Sequence, residues 1–201
     1  MLAGRTPNRS TDHKERVPGL MDANFVGLKK VLNSLTKMTE QEWREFKQLF
    51  TVRSMAKSEY FARAGEQASH VGFVVSGTFR AFYLSEDGTE YNKTFFRENT
   101  FIAAFASLVA QNESSIYIQA LEDSDMLVAR YTDIVRLYDR YHALERFGRR
   151  VIEIEWVNKE MREIRLVLTN AEERYKHFQQ EHPGLESKIP QYHIASYLGI
   201  T

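Results

Sequence analysis

Six histidines are the first residues to test for chemistry in this chain: His13, His70, His142, His177, His182 and His193. None forms an HxH or HExxH pair, the spacings that bring two imidazoles to one metal ion, so metal ligation is not expected. His177 and His182 fall near the end of a helical segment and read as solvated. No GxSxG elbow, Gly-rich phosphate loop or pair of carboxylates facing a cleft occurs, and an enzyme is the weakest reading. Glu153, Glu155, Glu160 and Glu163 read as the solvated face of one helix, with Arg162 and Arg165 as their partners. The run from Ile189 to Thr201 is different in kind. It has the pattern of the first helix and tight turn of a helix-turn-helix, a device for reading DNA. Gln191, Tyr192 and Thr201 are its candidate DNA-contacting residues. Sequence-specific DNA binding is therefore expected only where the recognition helix is present beyond Thr201.

Composition narrows the field. Lys and Arg together number 27, as do Asp and Glu, so the 201-residue chain is formally neutral and lacks the basic balance of a large nucleic-acid footprint. The absence of cysteine rules out disulfides, thiolate zinc sites and cysteine-ligated iron–sulfur clusters, and it suits a cytoplasmic location. No apolar run approaches the roughly 20 residues of a membrane span, and no membrane partner is expected. Residues 1–21 lack the apolar stretch of a signal peptide and read as a disordered tail, with Met21 as an alternative start.

The elements that would position any site follow from periodicity. Phe25, Leu28, Leu32 and Leu35 recur at helical spacing. Thr39, with Glu42 three residues on, predicts a capping box ahead of a helix bearing Trp43, Phe46, Leu49 and Phe50. From about Arg53 to Arg130 the segments are short and rich in Val, Phe, Tyr and Thr, and Asp87-Gly88 predicts a hairpin between two of them. Helical periodicity then returns. Phe147, Val151, Ile154, Met161, Ile164 and Leu168 form a heptad seam, with Val157 as the apolar residue at the intervening position, while Ile152, Trp156, Leu166 and Val167 mark a second face. Two apolar faces on one helix predict that one packs on the chain's own sheet domain and the other on a second copy; the alternative is a helix buried wholly within its own domain. Thr169-Asn170 ends that helix, Ala171 to Glu181 forms another with Tyr175 and Phe178 facing inward, and a last helix runs from about Pro190 to Leu198. If the DNA-reading unit stops short, Leu185, Ile189, Tyr192, Ile194 and Leu198 lack part of their packing, and a mobile C-terminal module is expected.

Taken in order, these residues resemble the CRP/FNR family of bacterial regulators from about Trp43 to Thr201. Gly65-Glu66, Phe73-Val74-Val75-Ser76-Gly77 and Glu86-Asp87-Gly88 are similar to its β-roll signature, and Phe101-Ile102 to the lead-in of its short ligand-binding helix. Ala171-Glu172-Glu173-Arg174-Tyr175 and Ile194 to Thr201 are similar to the start of its DNA-binding domain. In cyclic-nucleotide-binding members the resemblance implies a Gly-Glu pair after Phe-Ile, whose glutamate holds the ribose, and some ten residues later an arginine that pairs with the cyclic phosphate. The matching positions here are Ala103 and Ala104, then Ser114 and Ser115. Each lost charged hydrogen bond removes roughly 1.5–3 kcal/mol, about tenfold to a hundredfold in affinity. No Lys or Arg lies between Arg97 and Arg130 to replace the missing cation. No cofactor is therefore assigned, and cAMP and cGMP are expected not to bind in the usual way. A haem-sensing relative would need an axial histidine, for which His70 is the sole candidate in the roll.

The expected fold is α+β: an antiparallel, jelly-roll-like β-roll of cyclic-nucleotide-binding-domain type, with N-terminal helices, a long dimerisation helix and a partial winged helix-turn-helix. The expected divisions are a tail (1–21), a sensor with flanking helices (22–140), a dimerisation helix (141–169) and an incomplete DNA-binding domain (170–201). Ala103, Ala104, Phe105, Ser114, Ser115 and Tyr117 line the expected pocket, which either takes a small apolar effector or is a collapsed core. The expected function is the sensing and dimerising part of a homodimeric transcription regulator. The alternative is a protein-interaction or effector-binding module of the same fold with no DNA role.

Overall fold

The computed structural model describes residues 18–200, with side chains described from Ala23 onward. The expected tail lies outside the described residues up to residue 17, while Pro18–Met21 already belong to a helix; Thr201 also lies outside them. Helices α1 (Pro18–Leu35) and α2 (Glu40–Gln48) precede eight strands: β1 (Thr51–Met55), β2 (Tyr60–Ala62), β3 (His70–Ser76), β4 (Phe79–Leu84), β5 (Glu90–Phe96), β6 (Phe101–Ile102), β7 (Tyr117–Ala120) and β8 (Ser124–Arg130). A short helix α3 (Phe105–Ala110) joins β6 to β7, and α4 (Tyr131–Tyr138), α5 (His142–Leu168), α6 (Ala171–Glu181) and α7 (Gln191–Leu198) complete the chain. Among the described residues no helix is long and apolar enough to cross a membrane.

The strands form two four-stranded antiparallel sheets, ordered β1-β8-β3-β6 and β2-β7-β4-β5, which face each other as a roll. Alternation of side chains decides what each face meets. On β8, Met126 and Val128 point into the roll, while Leu127 and Ala129 point out toward the helices. On β4, Phe79 and Ala81 point in, and Arg80 and Phe82 point out. The chain passes from β3 in one sheet to β4 in the other through Gly77, whose φ is +95°. A Cβ there would lie 2.1 Å from Ser124 Oγ and 3.0 Å from Ser124 Cα, so the turn requires glycine.

Three apolar clusters hold the molecule. The roll interior contains Met55, Val74, Phe79, Ile102, Ile118 and Met126. The outer face of the first sheet is covered by α1, α2, α4 and the start of α5, through Phe25, Leu28, Leu32, Phe46, Phe73 and Leu127. The third cluster seats the C-terminal module on the second sheet: Phe178, Leu185, Ile189, Ile194, Tyr197 and Leu198 gather around Phe95 of β5. This corrects the expectation of an underpacked module. Of the five residues expected to lack partners, only Tyr192 is exposed, because β5 supplies the missing surface.

The heptad seam divides along α5. Phe147 is buried in its own chain, with ring centroids 6.0 Å from Phe46 and 5.7 Å from Phe101, and Val151 packs on the same cluster. They belong to the helical cover of the first sheet, so the seam does not begin at Phe147. Ile154, Val157, Met161, Ile164 and Leu168 are all exposed on the single chain.

Candidate functional site

The cassette expected to carry the pocket is the segment β6–α3–β7. Ala104 is buried in the roll interior at the N-cap of α3 and offers no side-chain hydrogen bond. Ser114 is buried too, but its hydroxyl is spent locally: it donates to the carbonyl of Ile116 (2.8 Å) and accepts from the Ile116 N–H (3.1 Å). The Ser114 backbone pairs with the Gly65-Glu66 turn, through Gly65 N–H to Ser114 O and Ser114 N–H to Glu66 O, both 2.9 Å. The roll interior around Ile102 is tightly filled. A Cβ on Gly72 would lie 2.2 Å from Met126 Cε and 2.8 Å from Ile102 Cγ2.

The other expected pocket residues disperse. Ser115 is exposed. Phe105 is part-exposed and rests its ring edge-on against Tyr131. Tyr117 points to the outer face of the second sheet, since its neighbours Ile116 and Ile118 turn inward; there it stacks on Phe82 with centroids 5.1 Å apart and meets Tyr60 edge-on. The sequence-expected set therefore does not converge on one cavity, because strand alternation sends Tyr117 away from Ala104 and Ser114.

An open groove of about 1650 Å³ lies instead between α5 and the roll. Phe101, Ile102, Ala103 and Phe105 line it from the roll, and Val151, Ile152 and Trp156 from the helix. At about 3.6 residues per turn, Ile152, Trp156 and Leu166 fall on the side of α5 opposite the exposed heptad, so one helix presents a groove face and a separate apolar seam. Cations also line this groove, among them Lys93 from β5, Arg97 just after it, and Lys159 and Arg162 from α5. The sequence reading sought a replacement cation only between Arg97 and Arg130, whereas Lys93 precedes that stretch and Lys159 and Arg162 come from the distant α5. Burial, reinforced by Lys159 and Arg162, pushes the Lys93 ammonium below its ordinary range.

The most connected polar site faces the other way. Arg80, nearly buried on the outer face of β4, forms a bidentate pair with Glu90 of β5. It also donates to Gln119 Oε1 from Nε (3.0 Å) and Nη2 (2.8 Å), and stacks over the Phe82 ring at 3.9 Å. Its Nη1 lies 3.0 Å from Nδ1 of His193, a buried residue of α7. Guanidinium has no acceptor, so His193 Nδ1 must present its lone pair and the ring is neutral. Burial, then the Arg80 charge, lowers the His193 pKa to about 4. Asn92 Nδ2 donates to His193 O (3.2 Å).

β5 is an edge strand, and α7 with α5 occupies its free polar groups. Asn92 N–H donates to Ser196 Oγ (2.8 Å), Ser196 donates to Glu90 O (2.7 Å), and Arg162 Nη2 bridges the carbonyls of Asn92 (3.2 Å) and Tyr197 (2.8 Å). Arg165 pairs with Glu181 of α6. Arg162 and Arg165 therefore brace the C-terminal module, while Glu153 pairs with Arg149 and Arg150, and Glu163 with Lys159. His182 is likewise not solvated: its ring sits among Phe95, Phe178 and Tyr197, and burial lowers its pKa. Gln191 and Tyr192 remain exposed on the outer side of α7.

Comparison with known proteins gives this arrangement a context. Residues 52–141 match the cyclic nucleotide-binding domain family. No protein of curated function matches the chain in sequence. Among solved structures, FixK2 from Bradyrhizobium japonicum is similar at TM-score 0.67 and 20% identity, over 76% of this chain and 78% of that one. The c-di-GMP-responsive global regulator CLP of Xanthomonas campestris is similar at TM-score 0.64 and 14% identity, over 81% and 86% of the two chains. A protein of Eubacterium rectale described as a transcriptional regulator of the CRP/FNR family is similar at TM-score 0.65 and 15% identity, over 82% and 78%.

Proposed function

We propose that this chain, in which residues 52–141 form a cyclic nucleotide-binding domain within the fold of CRP/FNR regulators, is the sensing and dimerising part of a transcription regulator that does not take cAMP or cGMP in the usual way. The observation that carries the reading is the state of the cassette: Ala104 packed into the roll and the Ser114 hydroxyl turned back on Ile116. Nothing at those positions meets a ribose or a cyclic phosphate, and a buried anion without a cation carries a heavy desolvation cost. An effector would be small and largely apolar, and would lie in the groove beside α5, against Phe101, Phe105 and Trp156. Two copies pair through Ile154, Val157, Met161, Ile164 and Leu168, burying side chains that each contribute roughly 1.5–3 kcal/mol. The protein works in the cytoplasm. α7 is the first helix of the DNA-reading unit, and base recognition depends on a helix following Gly199.

Calorimetric titration with cAMP and cGMP tests the sensor reading: no saturable heat is expected, and a micromolar isotherm would overturn it. Sedimentation tests the pairing in the same sample. A dimer is expected, reduced to monomer by Ile164→Asp; a wild-type monomer at tens of micromolar would refute the seam.

A further inference from the structure

We propose that the contact between Arg80 and His193 is a proton-sensitive clamp that holds α7 on the edge of β5 and loosens as the medium turns acidic. The geometry is that of a junction with one vulnerable bond. Arg80 is fixed on the roll by Glu90, Gln119 and the Phe82 ring, none of which belongs to the C-terminal module. Its one bond to that module runs to His193 Nδ1, and the bond exists only while that nitrogen is unprotonated. Adding a proton removes the acceptor and sets two buried cationic side chains about 3 Å apart. Asn92 and Ser196, which add further hydrogen bonds to the junction beside the Arg162 bridge, are not titratable.

The groups facing His193 fix the pH window. Burial and Arg80 disfavour its charged form, while Glu90 opposes them in part. Glu90 is itself held below the usual carboxylate range by its hydrogen bonds to Arg80, which favours its charged form. On the far side of the module His182 is also lowered by burial, with Glu181 opposing and Arg97 assisting. An undocked His193 titrates near its ordinary value of 6.5 and a docked one near 4. The undocked state therefore takes up the proton first. Docking is at full strength above 6.5 and weakens progressively down to about 4, by about 30-fold at pH 5.

This inference concerns docking within the chain and stands whether or not the protein reads DNA. Hydrogen exchange of the Asn92 amide, which donates to Ser196, measures the docked fraction once intrinsic exchange rates are removed. Between pH 7.5 and 5.0 its protection is expected to fall about 30-fold. His193→Gln keeps an acceptor for Arg80 but cannot titrate, and its protection is expected to stay level over the same range. Protection unchanged in the wild type would overturn the clamp. So would an equal fall in His193→Gln, which would assign the effect to His182.

Discussion

The two sheets of the roll are covered on their outer faces by different chemistry. On the first, Phe73, Leu127 and Ala129 meet α1, α2, α4 and α5 through apolar side chains, with Phe46, Phe101 and Phe147 in edge-to-face contact. On the second, Arg80, held in place by Gln119, and Asn92 meet α7 through hydrogen bonds, beside an apolar cluster around Phe95. Apolar contact is non-directional and survives small shifts, whereas a charged junction holds in one geometry and one protonation state. The difference separates a permanent cover from an adjustable one. The adjustable side carries α7, the helix that the proposed function makes the start of a DNA-reading unit.

Breaking the permanent cover should cost the most. Phe147→Ala removes a buried ring from the first cluster and is expected to lower global stability by about 3–5 kcal/mol, read by denaturant unfolding with Trp43 as the fluorescent reporter. A shift in dimer affinity without that loss would return Phe147 to the seam. Arg80→Met acts on the other cover. It leaves Gln119 Oε1 without its donor and His193 Nδ1 with only the longer contact to Asn92 Nδ2 (3.3 Å), while Glu90, about a third exposed, regains water. The expected loss is about 1–3 kcal/mol, confined to exchange protection of α7 and the β5 edge, with the Trp43 transition unmoved. A full drop in the Trp43 midpoint would show that the two covers unfold as one.

Local sequence made much of this legible. Thr39 and Glu42 form the expected capping box, and Asp87-Gly88 turns β4 into β5, with Gly88 at φ +86°. Short strands at regular spacing indicated a small antiparallel sandwich or barrel, and the family resemblance narrowed it to a β-roll. What stayed hidden depended on partners far along the chain. Phe147 fits a heptad by spacing, yet Phe46, about a hundred residues earlier, claims it. Tyr117 sits two residues from the cassette, but the strand's period of two turns it outward. Arg80 and His193 are 113 residues apart, and neither lies in a motif that signals the other. An arginine within an otherwise apolar strand, Phe79-Arg80-Ala81-Phe82, was the one available hint of a buried polar partner.

The smallest expected effect sharpens the comparison most, because the same device occurs on both covers. Thr39 caps α2 on the permanent side: Glu42 N–H donates to Thr39 Oγ1 (3.3 Å), and Thr39 N–H donates to Glu42 Oε2 (2.7 Å). Asn170 caps α6 on the adjustable side with the same reciprocal pair, Glu173 N–H to Asn170 Oδ1 (3.0 Å) and Asn170 N–H to Glu173 Oε2 (3.1 Å). Replacing either cap by alanine costs about 1 kcal/mol in its helix. The energies match, so any difference in outcome reports how each helix is coupled to the roll. Thr39→Ala is expected to lower the Trp43 unfolding midpoint, because α2 shares one cluster with β3 and β8. Asn170→Ala is expected to leave that midpoint in place and to reduce exchange protection only in α6 and α7, by about fivefold for about 1 kcal/mol. Equal shifts of the global midpoint by both variants would make the module an integral part of the roll and erase the distinction between its two faces.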